Sequence, residues 1–284
     1  MITLIIPTTD FRDKLLDRAL SYYTKFRVKI MVVDGSKKRK KIKYKNIKYF
    51  HNPEKNLEQR LLMAVKKTSD NFILISQDDD FINFPVVKKA LKILKENKDI
   101  AWASGDQIYF HKYFGKYLFK KLKDNNHNDD FKSNNLQNRS LFFLKYQQQL
   151  MASLFKKKPL IRALRDYSKL DVLIYKNKNK INVYYETIFS IFISLYGKYH
   201  HINDIFQFRD LKVYPNPNSR PARSVTFVDV KKSKATRNIK RFLDKKILKK
   251  ENFSMIFDDS INYRKKEYMT NFNYNFDKFK NFFK

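Results

Sequence analysis

The stretch Phe72-Ile73-Leu74-Ile75-Ser76-Gln77-Asp78-Asp79-Asp80-Phe81-Ile82 decides how the rest of the chain is read. Its apolar start has no polar alternation, which is the signature of a strand covered on both faces. Three carboxylates stand immediately past the apolar run. Adjacent like charges repel, so clustering them gains an isolated protein nothing. A divalent cation reverses that logic, because Mg²⁺ and Mn²⁺ take oxygen ligands and bridge carboxylates to phosphates. Asp also ends strands and caps helices, and the tripeptide alone does not choose between the two readings.

The surroundings add to it. Ile2-Thr3-Leu4-Ile5-Ile6 reads as a strand ending at Pro7-Thr8-Thr9-Asp10, with Thr9 or Asp10 as a helix N-cap. Leu15, Leu16, Ala19, Leu20 and Tyr23 then form a helical stripe. A second strand over 28–33 ends at Asp34-Gly35-Ser36, and residues 37–45 form an exposed basic loop. A short strand over 47–50 precedes a helix expected to start at Asn52-Pro53-Glu54. Past the acidic run, Pro85 opens another helix and 100–104 reads as a strand. Alternation of this kind predicts an α/β fold with a mostly parallel sheet flanked by helices. Such sheets bind ligands outside the carboxyl ends of their strands. The clusters at 7–9, 34–36 and 78–80 all follow strands, so the topology gathers them on one edge.

The second half is less regular. Residues 124–138 read as a polar loop, 141–155 and 160–167 as helical, 172–175 as a strand, 182–199 as a helix and 203–224 as a loop. Residues 231–284 hold 16 Lys/Arg against 6 Asp/Glu and many Phe and Tyr. The expected division is therefore a domain over 1–230 and a basic, aromatic, mainly helical C-terminal extension over 231–284.

The chain of 284 residues carries 61 Lys plus Arg against 28 Asp plus Glu, a formal net charge of +33. An excess of this size points to a polyanionic partner, nucleic acid or an anionic membrane surface. AT-rich coding also enriches Lys, Asn, Ile, Phe and Tyr together, so charge alone does not name the partner. Cysteine is absent, which removes disulfides and thiolate metal sites. No signal peptide opens the chain, and the apolar run at 188–196 is about half the ~20 residues of a membrane span. The expectation is a cytoplasmic protein that rests on the inner face of the membrane.

Ile5-Ile6-Pro7-Thr8, Met31-Val32-Val33-Asp34-Gly35-Ser36 and Ser76-Gln77-Asp78-Asp79-Asp80-Phe81, in that order, resemble the N-terminal half of family 2-like bacterial glycosyltransferases with the GT-A fold. Arg18-Ala19-Leu20-Ser21-Tyr22-Tyr23 and the segment from Asp99 to Gly105 extend the resemblance, which covers about residues 2–110 well and 170–200 loosely. It implies transfer of a sugar from a nucleotide-diphosphate donor to a glycan or lipid-linked acceptor in surface polysaccharide synthesis, by an inverting route. A divalent metal, Mn²⁺ or Mg²⁺, neutralises the diphosphate leaving group in such enzymes. By the resemblance, Asp78 and Asp80 form the metal site: Asp80 coordinates the metal, and Asp78 contacts the ribose or a metal-bound water. Asp79 caps the next helix or lines the donor site. Asp34 accepts from the base, and Pro7, Thr8, Thr9 and Ser36 line the nucleotide pocket. Glu186, in Tyr185-Glu186-Thr187, holds the context of the general base, although the family's usual Glu-Asp pair is here Glu-Thr. The other reading of Glu186 is a first-turn glutamate favoured by the helix dipole.

Arg209, Arg220 and Arg223 lie in the late loop, within reach of a diphosphate or simply solvated. His200-His201 lacks metal-ligand spacing. The alternative function is a polyanion-binding protein on an inactive scaffold of the same fold. It leaves the strand-end carboxylates without a purpose, and nucleic acid is not an expected partner.

Overall fold

Strands whose apolar residues run on without alternation need cover on both faces. The computed structural model describes residues 1–113, 116–121, 132–145, 151–170, 174–176, 179–181 and 185–210, with 234, 237–239 and 241 beyond them. In chain order the elements are β1 (Ile2–Thr8), α1 (Asp13–Tyr23), β2 (Lys29–Asp34), β3 (Ile47–His51), α2 (Leu57–Lys67), β4 (Phe72–Ser76), β5 (Asp80–Ile82), α3 (Phe84–Glu96), β6 (Ile100–Tyr113), β7 (Lys116–Lys121), α4 (Leu136–Lys145), β8 (Ala152–Lys156), α5 (Lys157–Ser168), β9 (Ile174–Lys176), β10 (Asn179–Ile181), α6 (Tyr185–Ser194) and β11 (Lys198–Asp210).

Nine strands form one sheet in the order β3-β2-β1-β4-β8-β6-β11-β5, with β7 paired beside β6. Strands β3, β2, β1 and β4 are parallel neighbours. Strand β8 is antiparallel to both β4 and β6, which gives β6 the direction of β4, and β11 follows β6 in parallel. The mostly parallel α/β sheet expected from the sequence is thus present, with β5, β7 and β8 reversed. Strands β9 and β10 form a separate hairpin.

Alternate residues of each central strand enter different cores. Ile5, Met31, Val33, Ile73 and Ile75 pack with α2, α4, α5 and α6 on one face. Leu4, Ile6, Ile30, Val32 and Leu74 pack with α1 and α3 on the other. The unbroken apolar runs are what a sheet covered on both sides requires.

One short connection shapes the sheet. Strand β4 ends at Ser76 and β5 begins at Asp80, yet β5, paired with β11, lies four places from β4 in strand order. Four flat strand spacings would separate them by about 19 Å. Four residue steps reach at most about 14 Å. The sheet is therefore curled, and the acidic run spans the gap between central β4 and edge strand β5.

The second half departs from the sequence reading. The helical segment expected over 141–155 is the end of α4 followed by strand β8, and the polar loop expected over 124–138 gives way to α4 at Leu136. The loop expected over 203–224 is β11 as far as Asp210. A run as short as Ala152-Ser153-Leu154-Phe155 carries no periodicity that separates a buried strand from a buried helix turn. The helix expected over 182–199 is α6, and it stops at Ser194. Gly197 sits at φ +154, and a Cβ there would stand 2.7 Å from the Cβ of Ala101, so the chain turns there into β11. Helix α2 starts at Leu57, later than expected, because Asn56 forms a capping box with Gln59.

Ile239 is fully buried in the core that holds α6. Residues 237–239 are helical, and the rest of the 231–284 extension lies almost wholly outside the described residues. Replacing Ile239 by Ala should cost about 2–5 kcal/mol in urea denaturation, the usual loss for a buried Ile truncated to Ala. A change within about 0.5 kcal/mol, typical of surface positions, would take Ile239 out of the core.

Candidate active site

The chain leaves β1 for β2 and β3 on one side, then returns to β4 on the other. This makes a topological switch point between β1 and β4, the place where open α/β sheets take ligands. Parallel register sets Thr8 beside Asp34, so the carboxyl ends of β1 and β2 are level. The Thr8 hydroxyl donates to Asp78 Oδ2 at 2.7 Å, which draws the acidic run over the end of β1. Pro7 is buried opposite Val33 in β1, and Thr9 is half-buried just beyond the strand.

The capping reading of this turn does not hold. Arg12 occupies the position before α1 and makes no side-chain cap. Asp10 instead accepts from the backbone N–H of Lys37 at 2.9 Å and so joins the turn after β1 to the basic loop after β2.

Asp34 is fully buried and acts as a hub. Its Oδ1 accepts from the Ser36 N–H at 2.8 Å and the Ser36 hydroxyl at 2.5 Å, and its Oδ2 accepts from Tyr49. The carbonyl of Ser36 lies 2.8 Å from His51 Nε2. Gly35 leaves room for the guanidinium of Arg60, since a Cβ at Gly35 would stand 1.8 Å from an Arg60 nitrogen. The Thr8 carbonyl accepts from both Gly35 N–H at 3.1 Å and Arg60 Nη1 at 3.2 Å.

The three adjacent aspartates have different partners. Asp78 is buried with both oxygens engaged: Oδ2 by Thr8, and Oδ1 by Arg12 Nε at 2.7 Å and Nη2 at 2.5 Å. The same Arg12 nitrogen lies 2.8 Å from Asp79 Oδ2. Asp79 is therefore paired with Arg12 and does not cap the next helix, whose N-cap residue is Asn83. Asp80 is 1% exposed and begins β5. Its Oδ2 accepts from Gln207, while its Oδ1 has no hydrogen-bond partner. Arg209 faces that oxygen with its Nε 4.0 Å away.

Electrostatics follow from this burial. Desolvation pushes the Asp78 carboxyl above its ordinary range, although Arg12 and Thr8 oppose the shift. Asp80 is pushed up to about 8, first by burial and then by the charge of Asp79. A buried carboxylate with an unshared oxygen and a raised proton affinity is a group in want of a cation.

Glu186 is the second residue of α6; its side chain lies outside the described set. Arg220 and Arg223 fall outside the described residues as well. Arg209 belongs to a strand and not to a loop. His201 is held between Asp106, 3.0 Å from its Nε2, and the Tyr199 hydroxyl, 3.1 Å from its Nδ1. Among the described residues, no group of three His, Asp or Glu side chains is arranged to hold a metal. Sequence reasoning missed Arg12, Arg60 and Gln207. Arg12 had a readable signal, because three adjacent carboxylates demand a nearby cation.

A model of the family described as Glycosyl transferase family 2 matches residues 11–155. The chain belongs to this family. The glycosyltransferase is also similar in structure to S. aureus TarS. TarS 1–349 in complex with UDP-GlcNAc aligns at 16% identity over 92% of this chain and 70% of that one, with a TM-score of 0.52. The complex with UDP aligns at 16% identity over 94% and 72%, with a TM-score of 0.50. A further TarS 1–349 structure gives a TM-score of 0.45, and there the glycosyltransferase covers 60% of the TarS chain. At this identity the likeness speaks to the fold, which is GT-A. A search of curated proteins by sequence gave no match.

The raised proton affinity of Asp80 has a measurable consequence. Its carboxyl is near 3.8 unfolded and about 8 folded, so the fold favours the protonated acid. Stability from that preference is complete below about pH 4 and is lost as pH rises towards 8. In metal-free buffer, Asp80→Asn should melt close to wild type near pH 4 and progressively above it up to about pH 8. A melting-temperature difference that stays flat across this range would show that Asp80 is not held in that environment.

Proposed function

We propose that this glycosyltransferase moves a sugar from a nucleoside-diphosphate donor to an acceptor hydroxyl, with a divalent metal held at Asp80. The observation that carries the reading is the Asp80 carboxylate, buried at the ligand-binding edge with one oxygen unshared. That oxygen fits the oxygen-ligand chemistry of Mn²⁺ or Mg²⁺. The lack of a three-residue metal cluster among the described residues fits a cation completed by the donor's own diphosphate. When bound there, such an ion supplies Lewis-acid stabilisation of the departing diphosphate.

The chain's own residues do the rest. Asp34, Ser36 and Tyr49 shape the base end of the pocket, and Pro7, Thr8 and Thr9 line its floor. Thr8 and Asp78 fix the acidic run over β1. Arg60, packed on Gly35, adds a cation beside the diphosphate position. Helix α6 ends where β11 begins, beside the amino end of β6. Ten helical residues rise about 15 Å, which directs the first turn and Glu186 back towards the carboxyl edge. Glu186 takes the proton from the acceptor hydroxyl. The acceptor oxygen then bonds to the anomeric carbon as the bond to the diphosphate oxygen breaks, which inverts that carbon.

The acceptor we assign is a glycan or lipid-linked hydroxyl of surface polysaccharide synthesis, met at the inner face of the membrane. The net charge of +33 and the exposed basic residues of the 37–45 loop support an anionic surface nearby. No helix among the described residues is long and apolar enough to cross a membrane.

Because the TarS complexes hold UDP and UDP-GlcNAc, these two are the first probes. At 100 times Kd, a ligand of the native state adds about 2.7 kcal/mol. With Mn²⁺ present, either should raise the melting temperature by several degrees, and Asp80→Ala should remove that rise. An undiminished rise in Asp80→Ala would place the metal elsewhere. Glu186→Gln should keep the donor-dependent rise and lose about 10²–10⁴-fold in transfer rate, the usual worth of a general base. An active Glu186→Gln enzyme would move the base to another residue.

A further inference from the structure

Arg12 is a cation built into the acidic strand end. Its guanidinium reaches Asp78 with two nitrogens, at 2.5 and 2.7 Å, and shares one of them with Asp79 at 2.8 Å. It is mostly buried, and Asp78 almost completely so. The chain is bent to bring it there. Phe11, directly before it, adopts φ 64, the left-handed region that bulky side chains avoid, and its ring is left 72% exposed. A strained aromatic with its ring in solvent gains nothing locally; what the turn accomplishes is the delivery of Arg12 onto two carboxylates.

The consequence lies at Asp80. Of the three adjacent carboxylates, Asp78 and Asp79 have their charge compensated by Arg12, while Asp79 Oδ1 and Asp80 Oδ1 are each buried without a hydrogen bond. We propose that Arg12 is a positioning residue that sets the metal affinity of the free protein: by pairing with Asp78 and Asp79 it neutralises their charge and lowers the pull of the acidic run on a divalent ion. Three uncompensated aspartates would attract a metal strongly without any nucleotide. Two neutralised aspartates, with one open oxygen each on Asp79 and Asp80, make a weak site, which fills when a diphosphate brings further oxygens. This inference rests on the metal reading of Asp80 proposed above.

The sign of the effect separates this role from a structural one. Loss of a merely structural residue loosens the site and weakens metal binding. Removing a charge that neutralises the acidic run strengthens it. The measurement is free Mn²⁺ by electron paramagnetic resonance, titrated into the full chain with and without UDP at one pH. Without UDP, Arg12→Met should bind Mn²⁺ about tenfold more tightly than wild type, in line with one unit charge acting at a partly solvated site. Arg12→Lys, which keeps the charge, should stay within about twofold of wild type on the same Coulomb argument. Where Arg12→Met does not fold, Arg12→Gln serves, since its amide still reaches Asp78 without a charge. A folded Met or Gln variant whose Mn²⁺ affinity without UDP equals or falls below that of wild type overturns the role of Arg12. If wild type also binds Mn²⁺ with UDP, the metal reading stands in that case. Absence of Mn²⁺ binding in every variant, with and without UDP, overturns both.

Discussion

Three residues between β4 and β5 govern this molecule. They are too few to cross a flat sheet, so the sheet curls until its far edge meets the end of β4. The closure puts groups from remote parts of the chain around one carboxylate. Gln207 and Arg209 reach Asp80 because β11 pairs with β5. Tyr23 ties α1 to the same turn through the Ser76 hydroxyl and the Asp80 carbonyl. Arg18 does so through the Asp79 carbonyl, while also holding Asp210 at the end of β11. The acidic run is thus a fastening as well as a site, and its geometry cannot shift without disturbing the sheet.

The sequence made the first half of this arrangement legible. Unbroken apolar runs gave β1, β2 and β4, the helical stripes gave α1 and α3, and the polar clusters after the strands gave the edge on which the site forms. What stayed hidden has two physical causes. Strand β8 is too short and too apolar to show a period, and β11 carries Asn203, Asp204 and a bulge that resemble a loop. The second cause is distance along the chain. Arg12 and Asp78 are 66 residues apart, and Gln207 and Asp80 are 127 apart, so neither pair is a pattern in any local window. The sequence identified the carboxylates but not their partners, and the partners are what distinguish three chemically identical side chains.

That distinction illustrates how burial assigns roles. Asp70, at the opposite end of the strands, is nearly as buried as Asp78, yet its carboxyl is held below its usual range by Thr3 and Lys29, against the cost of burial. It is a settled ion pair that joins β1, β2 and the turn before β4. Asp34 is settled by hydroxyls and an amide. Asp80, like Asp79 beside it, keeps an oxygen without a hydrogen bond. A binding edge is thus marked less by the presence of acidic residues than by their incomplete satisfaction.

The burial of Ile239 bears on how the protein is made. The core around α6 takes a side chain from beyond residue 230, whereas the face formed by α1 and α3 reaches only to Phe206 among the described residues, so a chain emerging from the ribosome can close that face first. The helix that begins at Tyr185 waits on a segment synthesised some 50 residues later. During that interval Phe189 and Phe192 lack their full cover, which makes this the stage at which chaperones or self-association would act on the nascent enzyme.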